Sequence, residues 1–232
     1  WNLEDFRKPR RRKIKEEIES LNLEMVNICC NDNVYVWNGP VYTSVDEKVR
    51  EGMVKRIKEE VEAAVEWNCK CIGIWPGSDV IPLKIPYWEA WKYLVDTISK
   101  CVKISEDYGV LIALEYKPEN VLNNVDSILR LLKEVNSDNV GALLDTGHAI
   151  VAREHLPTAV EMLRDKLFHI HIDDNYGDWD RDMPPGTVHN FKPFMETLKR
   201  INYKGCLSMD VWPYEDAYKE IKMGKEYLEK LM

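Results

Sequence analysis

Apolar residues along this chain come in short unbroken runs, separated by longer stretches in which they recur every three or four positions. Runs with no polar alternation, such as residues 110–114 and 141–144, suit strands buried on both faces, as in parallel sheets. The spaced pattern suits helices with one buried face. Read this way, strands fall at residues 23–30, 69–74, 110–115, 140–145, 167–172 and 205–210. A first helix opens on the basic cluster at 7–13 and runs to about residue 21. Others fall at about 46–67, 87–108, 121–135, 156–165, 191–201 and 215–231, and Gly109 stands where a helix stop is expected. A longer loop, 173–190, carries Gly177, Pro184, Pro185 and Gly186.

Strict alternation of strand and helix predicts a parallel sheet wrapped by helices, and right-handed crossovers bring every strand end to one face. The expected fold is a TIM (β/α)8-type barrel forming a single domain over residues 1–232. Closure of such a barrel takes eight strands. Six are visible and the chain opens without methionine, so the first two βα units are expected to be missing from its N-terminal side. An open doubly wound sheet is the alternative, but its flatter surface would not bring residues from four consecutive strands together.

Four strand-like runs end in residues that bind metals: Glu115, Asp145, His171 and Asp210. Three carboxylates in one pocket would raise one another's pKa unless a cation neutralised them. Oxygen-rich ligation with a single imidazole suits Mn²⁺, with Mg²⁺ or Co²⁺ as substitutes. Taken singly, each carboxylate could equally cap the next helix or pair with a lysine or arginine. Lys117 falls two residues past Glu115 and so faces the same side in extended geometry. His148 is placed to bind a ligand hydroxyl or carboxylate, and Arg181 in the long loop to clamp a ligand oxygen or phosphate. Asn31 and Trp75, at the ends of the first two strands, complete the expected substrate-facing set. His169 alternates with His171 one layer deeper and reads as a hydrogen-bonded core residue.

Composition narrows the partners. A net charge of −8 and a pI near 5.3 oppose a nucleic-acid or anionic membrane surface. No run reaches the ~20 apolar residues of a membrane span. The six cysteines follow no secreted framework, and Cys29, Cys30, Cys69 and Cys71 lack the usual zinc spacing. Reduced, buried thiols in a cytoplasmic protein are the expectation.

The runs Ala113-Leu-Glu115-Tyr-Lys-Pro118, Leu144-Asp145-Thr-Gly-His148 and His169-Ile-His171-Ile-Asp-Asp174-Asn175, in this order and at βα spacing, resemble the strand-end motifs of the xylose isomerase-like TIM barrels. The resemblance covers nearly the whole chain, as the last six of eight units. It implies a metal-dependent isomerase or epimerase of a sugar or sugar phosphate, moving a proton or hydride beside a carbonyl through an enediolate. Glu115, Lys117 and Asp210 would be catalytic, with Lys117 holding substrate oxygen as in aldose–ketose isomerases. The family's last ligand is often glutamate. Asp210 reaches less far, which turns the expectation toward isomerisation rather than epimerisation. A keto-sugar or inosose dehydratase would share the first step, and a sugar-binding barrel without turnover would share the pocket. Asp180-Arg-Asp182 is similar to the Asp-Arg-His motif of endonuclease IV, but the acidic balance opposes DNA. A small-molecule sugar and a homo-oligomeric assembly are the expected partners.

Overall fold

The computed structural model describes residues 8–29, 41–76, 85–212 and 216–232. The chain forms α1 (Lys8–Ser20), β1 (Ile28–Cys29), α2 (Glu47–Glu66), β2 (Cys71–Ile74), α3 (Tyr87–Tyr108) and β3 (Leu111–Glu115). It continues through α4 (Val125–Val135), β4 (Val140–Asp145), α5 (Thr146–Val151), α6 (Leu156–Leu163) and β5 (Leu167–Ile172). Then come α7 (Lys192–Arg200), β6 (Leu207–Met209) and α8 (Ala217–Glu229). The six strands are all parallel, lie in sequence order, and form a curled half-barrel. No described helix is long and apolar enough to cross a membrane.

Period-two alternation sorts the strand residues onto two faces. Ile112 and Leu114 of β3, Ala142 and Leu144 of β4, and Ile170 and Ile172 of β5 are fully buried against the helices. The intervening residues point to the concave side, where Cys71, Ala113 and Leu143 form a separate small apolar cluster with Leu111 and Phe168. Glu115, Asp145 and His171 continue that concave series at the carboxyl ends, and Asp145 is the direct register partner of His171. The register irregularity at Ala142/Leu143 falls where β4 meets β5. There a Cβ on Gly141 would lie 2.7 Å from the Phe168 ring, so only glycine lets that ring pack.

Helix ends follow local chemistry. Gly109 takes the left-handed conformation (φ 66°) and closes α3, as the sequence predicts. Helix α4 starts later than its apolar pattern implies: Val121 and Leu122 are buried loop residues, and Asn124 with Ser127 forms a capping box. The basic cluster of α1 is more than a solvated turn. Arg11 is buried, donates to Glu66 (3.2 Å) and the Glu59 carbonyl (3.0 Å), and docks α1 on α2. Cys69, Cys71 and Cys101 are buried thiols and Cys206 is exposed. Strand β1 is shorter than residues 23–30; Asn31 and Cys30 lie outside the described residues.

Candidate metal centre and active site

The strand ends open into a cavity of about 550 Å³, within the ordinary size range of small-molecule sites. Among its lining residues are Glu115, Lys117, His148, His171, Asp210 and Trp75. Asp145 is buried beside both histidines, 3.9 Å from the Nδ1 of each.

His171 is the hub. Its Nδ1 is buried and has no hydrogen-bond partner, yet three carboxylate oxygens surround it. Glu115 Oε1 lies at 3.4 Å, Asp210 Oδ2 at 3.4 Å and Asp145 Oδ2 at 3.9 Å. These separations are long for hydrogen bonds. They suit donors that share an ion, because two ligands with bonds of ~2.1 Å stand ~3.0 Å apart at a right angle and ~3.4 Å apart at the tetrahedral angle. One donor atom each from Glu115, Asp145 and His171 lies within 4.8 Å of the others, and all three residues are buried. Asp210 lies beside this trio, its Oδ2 3.4 Å from His171 Nδ1 and its side chain 40% exposed. An orphaned imidazole nitrogen facing oxygen donors fits a divalent cation.

The electrostatics describe the same crowding. Burial pushes Asp145 up to about 6; attraction from His148 opposes this, and repulsion from Glu115 and Asp180 adds to it. Burial and Glu115 likewise raise Asp210. Burial acts upward on Glu115 too, but His171, His148 and Lys117 together hold it below the usual carboxylate range. Burial opposes charge on His171, and Glu115, Asp145 and Asp210 override it, lifting the imidazole to about 9. His169 goes the other way: burial and the His171 charge lower it to about 4, and its Nε2 bonds Ser208 Oγ at 2.9 Å. It is the hydrogen-bonded core histidine its position implied.

His148 is held on both ring nitrogens. The Asp145 carboxylate caps the short helix α5 by accepting from the His148 backbone N–H (2.8 Å). In the ring, Nδ1 faces the Tyr116 carbonyl at 2.8 Å and Nε2 faces Asp180 Oδ2 at 2.9 Å. A carbonyl and an ionised carboxylate can only accept, so both nitrogens carry protons and the ring is an imidazolium. Burial disfavours that charge, but Asp145, Asp180 and Glu115 raise His148 to about 9.

Asp180 is a site residue that the strand-end pattern does not predict. Its Oδ2 accepts from Lys117 Nζ (2.9 Å) as well as from His148. Burial raises its pKa, but those two cations more than reverse the effect and keep it ionised. Its neighbour Asp182 is pushed up to about 7 by burial and by Asp180 and Asp210. Trp179 and Trp212 also line the cavity. Arg181 does not reach it: its guanidinium binds Asp178 (2.7 and 3.2 Å) and lines a different cavity with Tyr176 and Met183. Side chains of adjacent loop residues point to opposite sides here, so the cation expected from the sequence is one residue away from the group that faces the site. His189 Nδ1 pairs with buried Asp174 at 2.7 Å and holds the loop.

Residues 2–231 match the family described as xylose isomerase-like TIM barrel. A protein of Methanocaldococcus jannaschii is 34% identical over 201 residues, which is 80% of this chain and 66% of that protein. Inosose isomerase of Bacillus subtilis is 27% identical over 184 residues, 74% of this chain and 64% of the enzyme. The chain thus spans about two-thirds of the length of these curated relatives. A crystal structure of a D-tagatose 3-epimerase-like protein superimposes with a TM-score of 0.84 at 27% identity, covering 97% of this chain and 85% of that one. Fold, strand-end chemistry and sequence agree, and the chain belongs to the xylose isomerase-like TIM barrel family.

Proposed function

We propose that this chain is a divalent-metal-dependent sugar isomerase or epimerase, and within that class an aldose–ketose isomerase. The observation that carries the reading is the orphaned Nδ1 of His171, ringed by oxygens of Glu115, Asp145 and Asp210. Those four residues would hold the ion, and the oxygen-rich set suits Mn²⁺. When bound, such an ion acts as a Lewis acid toward a carbonyl and a neighbouring hydroxyl.

The chain's own groups divide the remaining work. Glu115, kept ionised by the cations around it, is the proposed base for the proton beside the carbonyl. Lys117 reaches the cavity from the same strand end. Despite partial burial its pKa is raised by Asp180, so it stays an ammonium able to steady charge that develops on a substrate oxygen. His148 is a fixed cation rather than a proton acceptor, because both its nitrogens already donate. Asp210 has a short side chain, which suits holding the ion better than reaching a carbon on the far side of the substrate. The inosose isomerase relative adds cyclic polyol ketones to the substrates worth testing.

The test is incubation with ketoses, aldoses and inososes in D₂O with Mn²⁺ supplied. Deuterium entering beside a carbonyl, lost in Glu115→Gln, supports the reading. Absence of both exchange and interconversion across the panel in a protein that binds Mn²⁺ overturns it.

A further inference from the structure

Glu115 and Lys117 line the active-site cavity, and Tyr116 between them alternates away from it. Its side chain is fully buried in the main core, where a tyrosine hydroxyl needs a partner. The partner is Glu154, whose Oε2 accepts from the Tyr116 hydroxyl. The other carboxylate oxygen, Oε1, accepts from the Val125 backbone N–H (2.9 Å) in the first turn of α4. An anion there also faces the positive end of the helix. Glu154 lies outside the active-site cavity and borders a different one, of about 390 Å³, with Ile150 and His155.

That one carboxylate holds both ends of the segment that carries Lys117. Between Tyr116 and Val125, Lys117 N–H donates to the Leu122 carbonyl (3.1 Å) and Asn120 N–H to the Lys117 carbonyl (3.2 Å). The segment is a closed turn fastened at its two feet. Tyr116 is also held through its main chain, where its carbonyl accepts from His148 Nδ1–H (2.8 Å). His148 and Glu154 belong to one short stretch, α5 and the turn after it. There Ala152 N–H donates to the His148 carbonyl (2.9 Å) and Glu154 N–H to the Ala149 carbonyl (2.9 Å). Arg153 takes the left-handed conformation (φ 59°) in that turn, immediately before Glu154. The stretch after β4 thus grips Tyr116 twice, on the carbonyl with His148 and on the hydroxyl with Glu154.

We propose that Glu154, acting through Tyr116, is a positioning residue for two cations of the active site, Lys117 and His148. The proposal rests on the isomerase reading for what those cations do, and on the hydrogen bonds alone for what holds them. A buried tyrosine needs one acceptor and a helix start needs one anion. A carboxylate shared between them does more, because it ties the two anchor points to each other. Without it the Tyr116 hydroxyl is orphaned, the carbonyl that orients His148 can tilt, and the Lys117 turn loses a fastening. Catalytic groups must be held within ~0.5 Å of their working geometry, and a misplacement of ~1 Å can cost ~100-fold in rate.

The test compares wild type, Tyr116→Phe, Glu154→Gln and the double variant, all loaded with Mg²⁺. Folding is checked by circular dichroism and bound metal by elemental analysis. In ¹⁵N-histidine spectra the His148 ring Nδ1–H should be protected from solvent exchange in wild type and exchange at least ~5-fold faster in each single variant. Turnover is followed in D₂O with D-fructose, D-xylulose and scyllo-inosose. For the sugar that wild type converts fastest, kcat should fall ~10-fold in each single variant, with KM within ~3-fold and one ion still bound. The double variant should also lose only ~10-fold, because both changes break the same link. Should Tyr116→Phe not fold, Glu154→Gln carries both readouts alone. Four results overturn the inference: a His148 ring proton unprotected in wild type, an exchange rate or a kcat unmoved in both single variants, losses that multiply in the double variant, or losses that only track departure of the metal. Wild type that converts none of the sugars while the ring-proton response holds would sink the isomerase reading and leave this inference standing. Normal turnover in every variant with an unmoved ring proton would sink this inference alone.

Discussion

Asp180 ties two cations from different strand ends to one oxygen, and its removal has a calculable effect. The Asp180 side chain is 12% exposed, that of His148 7% and that of Lys117 27%. Hydrogen bonds to charged groups contribute ~1.5–3 kcal/mol, and stripping one partner from a buried ion pair costs ~3–5 kcal/mol. Lys117 can turn to water and recover part of its share, so the His148–Asp180 contact should dominate. Asp180→Asn and His148→Gln should each destabilise the metal-free protein by ~2–3 kcal/mol, with a coupling of ~2 kcal/mol between them. Urea unfolding of wild type, both single variants and the double variant yields that coupling. The pH dependence has a definite sign. His148 is raised in the fold to about 9 from an ordinary value of 6.5. Its stabilisation is therefore complete below ~6.5 and lost as pH rises through about 9. At ~1.4 kcal/mol per pKa unit, the net effect on His148, its partners less the cost of burial, is about 3.5 kcal/mol. Asp180, lowered in the fold, gives the opposite limb: its contribution is present above ~4 and is lost as pH falls further. A coupling under ~0.5 kcal/mol near pH ~6, or one unchanged near pH ~10, would refute the network.

Two further outcomes rest on single contacts. Lys117→Ala should lower kcat by ~100-fold or more while Mn²⁺ affinity stays within ~3-fold, as for an interaction made mainly in the transition state. Steady-state kinetics beside metal titration checks this, and undiminished turnover would turn the assignment toward epimerisation. In Gly147→Ala the new Cβ would lie 2.0 Å from Asp173 Oδ2 and 2.7 Å from its Cγ, a clash inside a buried joint between β4 and β5. Overpacking of this kind costs ~1–3 kcal/mol, or a fall in Tm of ~3–10 °C for a chain of this size, and a calorimetric Tm within ~1 °C of wild type would contradict it.

The central strands are legible in the sequence because both their faces are buried. Residues 140–145 and 167–172 are apolar except at Asp145, His169 and His171, and their bounds in the fold match the reading. At the rim the signal weakens: among the described residues β1 keeps two and β6 three, because only Ile28–Cys29 and Leu207–Met209 pair with a neighbour. Thr146–Val151 lies outside the helices expected from the sequence and is a short helix, since Asp145 both ends a strand and caps the helix after it. Glu115, Lys117, His148, His171 and Asp210 do line one cavity, because regular strands carry period-two order to their last residue. Asp180 stands in the sequence only as part of Asp180-Arg-Asp182; its place in this site is not legible, because it sits in an irregular loop and pairs with Lys117 across 63 residues. Arg181 stands out in the sequence through its charge alone, and its pairing three residues back with Asp178 keeps it elsewhere.

The central claim is that Glu115, Asp145, His171 and Asp210 form one divalent-metal site. Chelator-stripped protein should be titrated with Mn²⁺ by isothermal calorimetry, with bound metal counted by elemental analysis. The account predicts one ion per chain in wild type, weaker binding in Asp210→Asn, and loss of that ion in His171→Ala and Asp145→Asn proteins that keep the wild-type circular dichroism spectrum. Wild-type protein that takes up no ion, or variants that bind it as well as wild type does, would contradict the account.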